Sequence, residues 1–161
     1  MENYISINGN KSEITPEQLR QLGITVDMSA TSVADIVKRG KARDHFKIHD
    51  LLTLGGYEME IIGFDHDRDA DNRTTITLMA KSLLPARRMH SGACKRGWID
   101  TELRKWLNGE LIKTLPDDLV SHICNVKKVT HSASGEVFET VDKLFLPSES
   151  ELFGSAIWSD Y

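Results

Sequence analysis

Residues 98–108 carry the strongest helix signal in this chain, and that signal limits how the rest of it can fold. Asp100 is a good N-cap residue, because its side chain can accept a hydrogen bond from a free amide in the first helical turn. Leu103, Trp106 and Leu107 follow at helical spacing and share one face. The sequence therefore predicts an amphipathic helix that must bury this face against another segment.

A second informative block, residues 140–151, lies further along the chain. The apolar run at residues 144–146 predicts a short buried strand. Ser148 and Glu151 have the spacing of a capping box, which favours a last helical turn after this strand. Since each block has a structural explanation, we interpret the two as a scaffold that ties distant segments together. We expect any recognition site in the irregular loops.

Elsewhere, helix and strand signals are mixed rather than strictly alternating. The predicted strands are residues 4–7, 51–54, 57–64, 74–81 and 126–130, and the predicted helices are residues 15–23, 32–40 and 116–123. This mixture predicts the α+β class, with short helices packed on a small antiparallel sheet. We expect residues 1–30 to form an N-terminal strand and helix extension, and residues 31–161 to form one compact domain.

The composition is that of an ordinary globular protein. Hydrophobic residues make up 40% of the chain, and no apolar run is long enough to span a membrane. The N-terminus has none of the basic and apolar regions of a signal peptide, so we expect a cytoplasmic or virion-associated protein. The net charge of −4 argues against nucleic acid as a partner, because such binding depends on phosphate neutralisation.

The two cysteines, Cys94 and Cys124, are too few for a disulfide scaffold, and we expect them to be buried free thiols. A zinc site that joins them to His90 and His122 is the alternative, but neither histidine–cysteine pair has the usual spacing of zinc ligands. The chain also has no Gly-x-Ser-x-Gly, His-Glu-x-x-His or P-loop motif. We therefore predict no catalytic residue.

Aspartates occupy alternate positions of an acidic loop, at Asp65, Asp67, Asp69 and Asp71. This spacing can bring several oxygen ligands together around a calcium ion, although the loop lacks the glycine and distal glutamate of an EF-hand. In the alternative interpretation the aspartates cap backbone amides in a solvated hairpin loop. We thus expect no cofactor, with a calcium ion in this loop as the alternative.

Basic residues dominate the segment from residue 84 to residue 97, which has no clear periodicity. The candidate ligand-binding residues in it are Arg87, Arg88, His90, Lys95 and Arg96. Such a cluster can bind phosphate, sulfate or an acidic partner surface. The alternative is that these cations only aid solubility and pair with nearby acids. We favour this second interpretation, although the length of the segment, which is unusual for a connection inside a compact domain, leaves a binding role open.

Three blocks of the sequence resemble a bacterial and prophage family of domains of unknown function, which is grouped with C-type-lectin-like and formylglycine-generating-enzyme-like folds. They are residues 61–67, residues 98–108, and residues 142–146 with Ser148 and Glu149; residues 35–50 resemble the family's lead-in. The resemblance implies a lectin-like mixed fold that lacks the family's C-terminal part. It does not extend to formylglycine-generating activity, because residues 125–161 contain no cysteine.

From this resemblance we expect a non-catalytic binding or structural module, associated with phages or prophages, that recognises a protein or glycan surface. A homo-oligomer that completes its sheet with a second chain would fit the short C-terminal end. One alternative is a small phage-encoded inhibitor or accessory protein that acts inside the host by protein–protein binding. A weaker alternative is a metal-dependent hydrolase that uses the acidic loop.

Overall fold

The structure is a computed structural model that describes residues 4–7, 10–13, 26–67, 69, 71–132 and 134–153. The chain divides into two compact units, Met1–His66 with Thr74–Leu84 and Asp67–Arg73 with Pro85–Tyr161. Helices and small, mostly antiparallel sheets occur together, so the prediction of an α+β fold is confirmed. None of the helices in the described ranges is both long and apolar enough to cross a membrane.

Within its described residues, the first unit contains a hairpin, a four-stranded sheet and two helices. The hairpin strands are β1 (Tyr4–Ile7) and β2 (Asn10–Glu13), and the sheet strands are β3 (Val26–Asp27), β4 (Leu51–Leu54), β5 (Tyr57–Phe64) and β6 (Ile76–Ala80). The order β3-β4-β5-β6 is antiparallel except for the β3–β4 pair. The helices are α1 (Ala30–Lys38) and α2 (Ala42–His45).

The sheet of the first unit buries alternate residues, as a half-buried strand should. Leu52 and Leu54 of β4 are buried, and Ile61 of β5 is fully inaccessible to solvent. A turn at residues 55–56 joins β4 to β5, and both of its glycines have a positive φ. Further along β5 the register shifts at Gly63, where a Cβ atom would lie 2.1 Å from ring atoms of His66. A side chain at that position would require the exposed ring of His66 to move.

Three predictions for the first unit need correction or lie outside the described residues. The helix predicted at residues 32–40 begins earlier, because the side chain of Ser29 accepts a hydrogen bond from Ser32 N at 3.1 Å and caps it. The strand predicted from residue 74 begins at Ile76. The predicted helix at residues 15–23 lies outside the part of the chain that the structure describes.

The described part of the second unit contains helices and a hairpin. The helices are α3 (Glu102–Gly109), α4 (Asp117–His122) and α5 (Glu149–Phe153), and 3₁₀ turns at Gly97–Asp100 and Leu111–Thr114 flank α3. The antiparallel hairpin consists of β7 (Val126–His131) and β8 (Val137–Asp142). The apolar face of α3 forms the core as predicted: Leu103, Leu107 and Leu111 pack with Trp98, Trp106 and Leu144.

The prediction of a strand at residues 144–146 is wrong, because the strand lies earlier, in β8. In β8 the inward positions include the polar Thr140 and Asp142, which are buried, whereas Val137 and Val141 face solvent. Since the buried side is polar, hydrophobic alternation does not reveal this strand. The N-cap of α3 is also one residue later than predicted. Thr101, rather than Asp100, accepts the hydrogen bond from Arg104 N, at 3.1 Å.

The two sequence blocks are joined directly in the second unit. Asp142, at the end of β8, accepts hydrogen bonds from Trp98 Nε1 at 2.9 Å and from Arg104 Nε at 2.7 Å. One helical turn further on, the side chain of Asn108 bonds to the backbone of Lys143 and Leu144. The interpretation of the two blocks as one scaffold is therefore confirmed.

The capping box at the start of α5 is present as predicted. Ser148 N donates to Glu151 Oε2 at 2.6 Å, and Glu151 N donates to Ser148 Oγ at 3.2 Å. This reciprocal pair satisfies two amides that have no partner within the helix. The position of the side chain of Glu151 is thereby fixed at the helix N-terminus, where its charge also interacts favourably with the helix dipole.

Candidate functional site

The basic loop, residues 85–97 of the second unit, has no helix or strand before the 3₁₀ turn that begins at Gly97. It is nevertheless attached to the first turn of α3. Leu103 N donates to Met89 O at 3.1 Å, and Ser91 Oγ donates a hydrogen bond to Glu102 Oε1. These bonds hold the middle of an otherwise exposed segment in place, which lowers the entropy that it loses on binding a partner.

Two arginines of the basic loop lie over aromatic rings. The guanidinium carbon of Arg87 is 4.9 Å from the ring centroid of Trp106, on α3. That of Arg96 is 4.7 Å from the ring centroid of Phe138, on β8, and its Nη1 lies 3.3 Å from both carboxylate oxygens of Asp100. Stacking of this kind orients a guanidinium while leaving N–H groups at its edge available to a planar anion.

The other two arginine and lysine side chains of the loop, Arg88 and Lys95, are exposed. Neither forms an ion pair at hydrogen-bonding distance within the described residues, although the charge of Arg88 acts on Glu102. The hydrogen bond from Ser91 and this charge hold the pKa of Glu102 below its ordinary value, against the opposing effect of burial. The loop therefore presents cations to solvent while its anchoring carboxylate stays ionised.

His90 differs from the other basic residues because it is half-buried. Its Nδ1 atom is inaccessible to solvent and has no hydrogen-bond partner among the described residues. The nearest acid is Glu102, whose Oε1 is 3.9 Å from Nδ1, just beyond hydrogen-bonding distance. All five predicted ligand-binding residues thus lie in one loop of one unit, but His90 points inward and the other four are exposed.

Sequence reasoning missed the groups that position this loop. Trp106 and Phe138 support the arginines, and Glu102 anchors the backbone. The Arg96–Asp100 spacing is the only local signal of this arrangement, since it matches an i,i+4 ion pair. The other contacts join residues that are distant in sequence and follow only from the tertiary fold.

The acidic loop uses its carboxylates to bind its own backbone and nearby cations. In the first unit, Asp65 accepts a hydrogen bond from Thr75 N at 3.2 Å and lies 3.7 Å from Arg43 Nη2. In the second unit, buried Asp69 accepts from the amides of Asp71 and Arg73 at 3.1 and 2.7 Å. This is the capping arrangement that the sequence offered as the alternative to a metal site.

Asp69 remains ionised despite its burial. Burial disfavours its charge, but the amide and guanidinium of Arg73 outweigh that effect and hold the pKa of Asp69 below its ordinary value. The same guanidinium lies 3.2 Å from Asp71. A metal ion bound by Asp69 and Asp71 would therefore have to displace Arg73, which already supplies the positive charge.

Asp67 belongs to a separate ionic cluster in the second unit. Lys128 Nζ, on β7, lies 2.8 Å from Asp67 Oδ1, 2.7 Å from Glu151 Oε1 and 4.4 Å from the ring centroid of Phe145. Burial disfavours the charged ammonium, yet its two carboxylate partners raise the pKa of Lys128 above its ordinary value. Lys128 thus lies between two carboxylates in a largely buried site and offsets part of their negative charge.

The depressed pKa of Glu151 predicts that the protein loses stability in acid. Burial opposes its ionisation, but Lys128 and the capping bonds to Ser148 lower its pKa from 4.5 to about 2. Because the folded pKa is depressed, its contribution is fully present above pH 4.5 and is lost as the pH falls towards about 2. We expect Glu151→Gln to lower the free energy of unfolding at pH 7 and to have a much smaller effect near pH 2.

Urea denaturation at a series of pH values measures this loss. Glu139→Gln is the matched control, because Glu139 forms an exposed pair with Lys127 and should matter little at any pH. An equal effect of Glu151→Gln at pH 7 and pH 2 would contradict the stabilising role of the ionised Glu151 carboxylate beside Lys128.

The two cysteines are free, as expected, and each is half-buried. Cys94 Sγ donates to Gly97 O at 3.2 Å, which stabilises the end of the basic loop. Within the described residues, no group of three potential metal ligands includes a cysteine. The structure thus gives these thiols local packing and hydrogen-bonding roles.

Comparison with known proteins identifies one family. The model of DUF6273, a domain of unknown function, matches residues 73–160, which is more than half of the chain. No curated protein and no solved structure gives a significant match. The matched region includes the basic loop and the side chains that join its two sequence blocks: Trp98, Arg104, Asn108 and Asp142. The chain therefore belongs to the DUF6273 family of domains of unknown function.

Proposed function

We propose that this protein is a non-catalytic binding module that recognises an acidic protein surface through the basic loop. The observation that carries the proposal is the attachment of an exposed, cationic segment to α3, with Arg87 and Arg96 oriented over aromatic rings. Oriented guanidiniums favour paired hydrogen bonds to carboxylates. Since the whole chain carries a net charge of −4, the positive charge is a local property of this loop.

An association with phages or prophages is part of the proposal, and the sequence resemblance supports it. In that setting the acidic partner is a protein that the module meets on a virion, on a host surface or inside the host. A module on a virion surface would use this loop to bind its partner. A small inhibitor that acts inside the host would use the same loop. The lectin-like resemblance also keeps a glycan as the alternative ligand, and a sulfated glycan would offer the same anionic chemistry. A homo-oligomer stays a prediction, which the molar mass in solution checks.

The weaker proposal of a metal-dependent hydrolase has less support. The carboxylates of Asp67, Asp69 and Asp71 already bind the cations Lys128 and Arg73. Binding a metal there would require these contacts to be given up, whereas the basic loop needs no rearrangement to meet an anion.

Charge reversal in the basic loop tests the proposed function. We expect the protein to bind an immobilised polyaspartate peptide at low ionic strength, and we expect Arg88→Glu/Lys95→Glu to weaken this binding by a factor of about ten or more. Lys105→Glu/Lys113→Glu is the matched control, since it reverses two exposed lysines of the same unit outside the loop. Biolayer interferometry measures the binding of the loop variant and of the control variant to polyaspartate and to heparin.

The outcomes separate the candidate ligands. Equal losses in the loop variant and the control would mean that net charge, rather than this loop, drives binding. Binding to heparin without binding to polyaspartate would replace the protein partner by a sulfated glycan. Absence of binding to either probe would contradict the proposed function.

A further inference from the structure

His90 places a titratable group between the basic loop and its anchor. Its Nδ1 atom is buried without a hydrogen-bond partner among the described residues, 3.9 Å from Glu102 Oε1. The same oxygen accepts the hydrogen bond from Ser91, the next residue of the loop. In this position a neutral imidazole has neither a hydrogen bond at Nδ1 nor a charge interaction. An imidazolium would lie beside a carboxylate that attracts it.

Among the described residues, α3 and the basic loop each bring a charge to the surroundings of His90 and Glu102. From α3, Glu102 favours the protonated ring. From the basic loop, Arg88 acts on the same carboxylate and opposes a further positive charge. Glu102 itself lies at the base of the loop, where its negative charge weakens the attraction for an acidic ligand. Protonation of His90 would compensate that charge and add a donor that secures the loop to α3.

We propose that His90 makes the affinity of the basic loop for an acidic ligand depend on pH, so that binding tightens when the imidazole gains a proton. This inference rests on the proposed function, because it concerns the regulation of the same site. Histidine changes its charge between about pH 8 and 5, so the effect falls within the physiological range. By linkage, a bound acidic ligand favours the protonated ring to the same extent.

Binding of the polyaspartate peptide at pH 7.5 and pH 5.5, at constant ionic strength, tests the proposal. Aspartate side chains stay ionised over this range, so the probe keeps its charge. We expect the wild-type protein to bind about fivefold more tightly at pH 5.5, which is a typical coupling between two sites. We expect His90→Asn to bind with less than a twofold difference between the two pH values.

His122→Asn is the matched control, because His122 is also half-buried and also lies near an acid, Asp118 at 4.0 Å, but is outside the loop. This variant should keep the pH dependence of the wild type. Glu102→Gln is a second test that leaves His90 in place. Without the carboxylate a charged ring has no countercharge at this position, so the tightening between pH 7.5 and pH 5.5 should be smaller than in the wild type.

Three results would overturn the proposal. They are an unchanged pH dependence in His90→Asn, a loss of pH dependence in His122→Asn, and an unchanged pH dependence in Glu102→Gln. Failure of the proposed function has a different outcome, namely no polyaspartate binding at any pH. NMR of the ligand-free protein gives an independent readout. The amide signals of Ser91 and Leu103 should shift with pH in the wild type and should stay constant over the same range in His90→Asn.

Discussion

Asp142→Ala is expected to lower the free energy of unfolding by about 3–5 kcal/mol, the range found when one partner of a buried ion pair is removed. The carboxylate of Asp142 is 1% exposed and accepts hydrogen bonds from Arg104, Trp98 and Thr140. Its removal leaves the Arg104 guanidinium, which is only 22% exposed, without its countercharge. The indole N–H of Trp98 would lose its acceptor as well, so several penalties arise together.

Urea denaturation followed by tryptophan fluorescence measures this effect, since Trp98 is part of the network. Asp142→Asn should give a smaller loss, because an amide keeps the shape and one acceptor atom but removes the charge. The control is Asp117→Asn, an exposed acid of the same unit that should change stability by about 0.5 kcal/mol or less. If Asp142→Ala were no more destabilising than this control, the network would not be what joins β8 to α3.

The sequence predicted the elements whose signals are local. Helix α3 shows a helical apolar stripe, and α5 starts with a capping box, so both follow from residues within one or two turns. Strand β8 could not be found in this way. Its buried side chains Thr140 and Asp142 are polar. Asp142 accepts hydrogen bonds from Thr140 in the same strand and from Trp98 and Arg104, which are distant in sequence, and these bonds offset the cost of its burial.

The candidate site shows the same division between local and tertiary information. The composition and length of the basic loop identified Arg87, Arg88 and Lys95, but nothing local indicates that Trp106 supports one of these cations. For the acidic loop, alternating aspartates suit both metal binding and amide capping. The hydrogen bonds made by Asp69 show the second arrangement in the structure. Spacing alone cannot choose between them, because the choice depends on whether cations of the protein lie nearby.

The second large effect is expected at Asn108, near the C-terminal end of α3. Its Oδ1 atom accepts from Lys143 N at 2.8 Å and from Leu144 N at 3.0 Å. Its Nδ2 atom donates to Leu144 O at 2.8 Å and to Arg104 O at 3.1 Å. Asn108→Ala should lower the free energy of unfolding by about 2–3 kcal/mol, because several partly buried backbone groups lose their partners at once.

Two substitutions distinguish the acceptor from the donor of the Asn108 side chain, and hydrogen exchange of backbone amides measures the difference. Asn108→Asp keeps the acceptor but loses both donors and places a negative charge near a helix C-terminus, so it should also destabilise the protein. It should nevertheless preserve slow exchange of the Lys143 and Leu144 amides, whereas Asn108→Ala should abolish it. Asn125→Ala, at an exposed asparagine of the same unit, is the control and should leave both amides protected. Residues 143 and 144 are not part of a strand, so no sheet hydrogen bonds protect their amides. If these amides stayed protected in Asn108→Ala, a group other than the Asn108 side chain would hold the segment after β8 against α3.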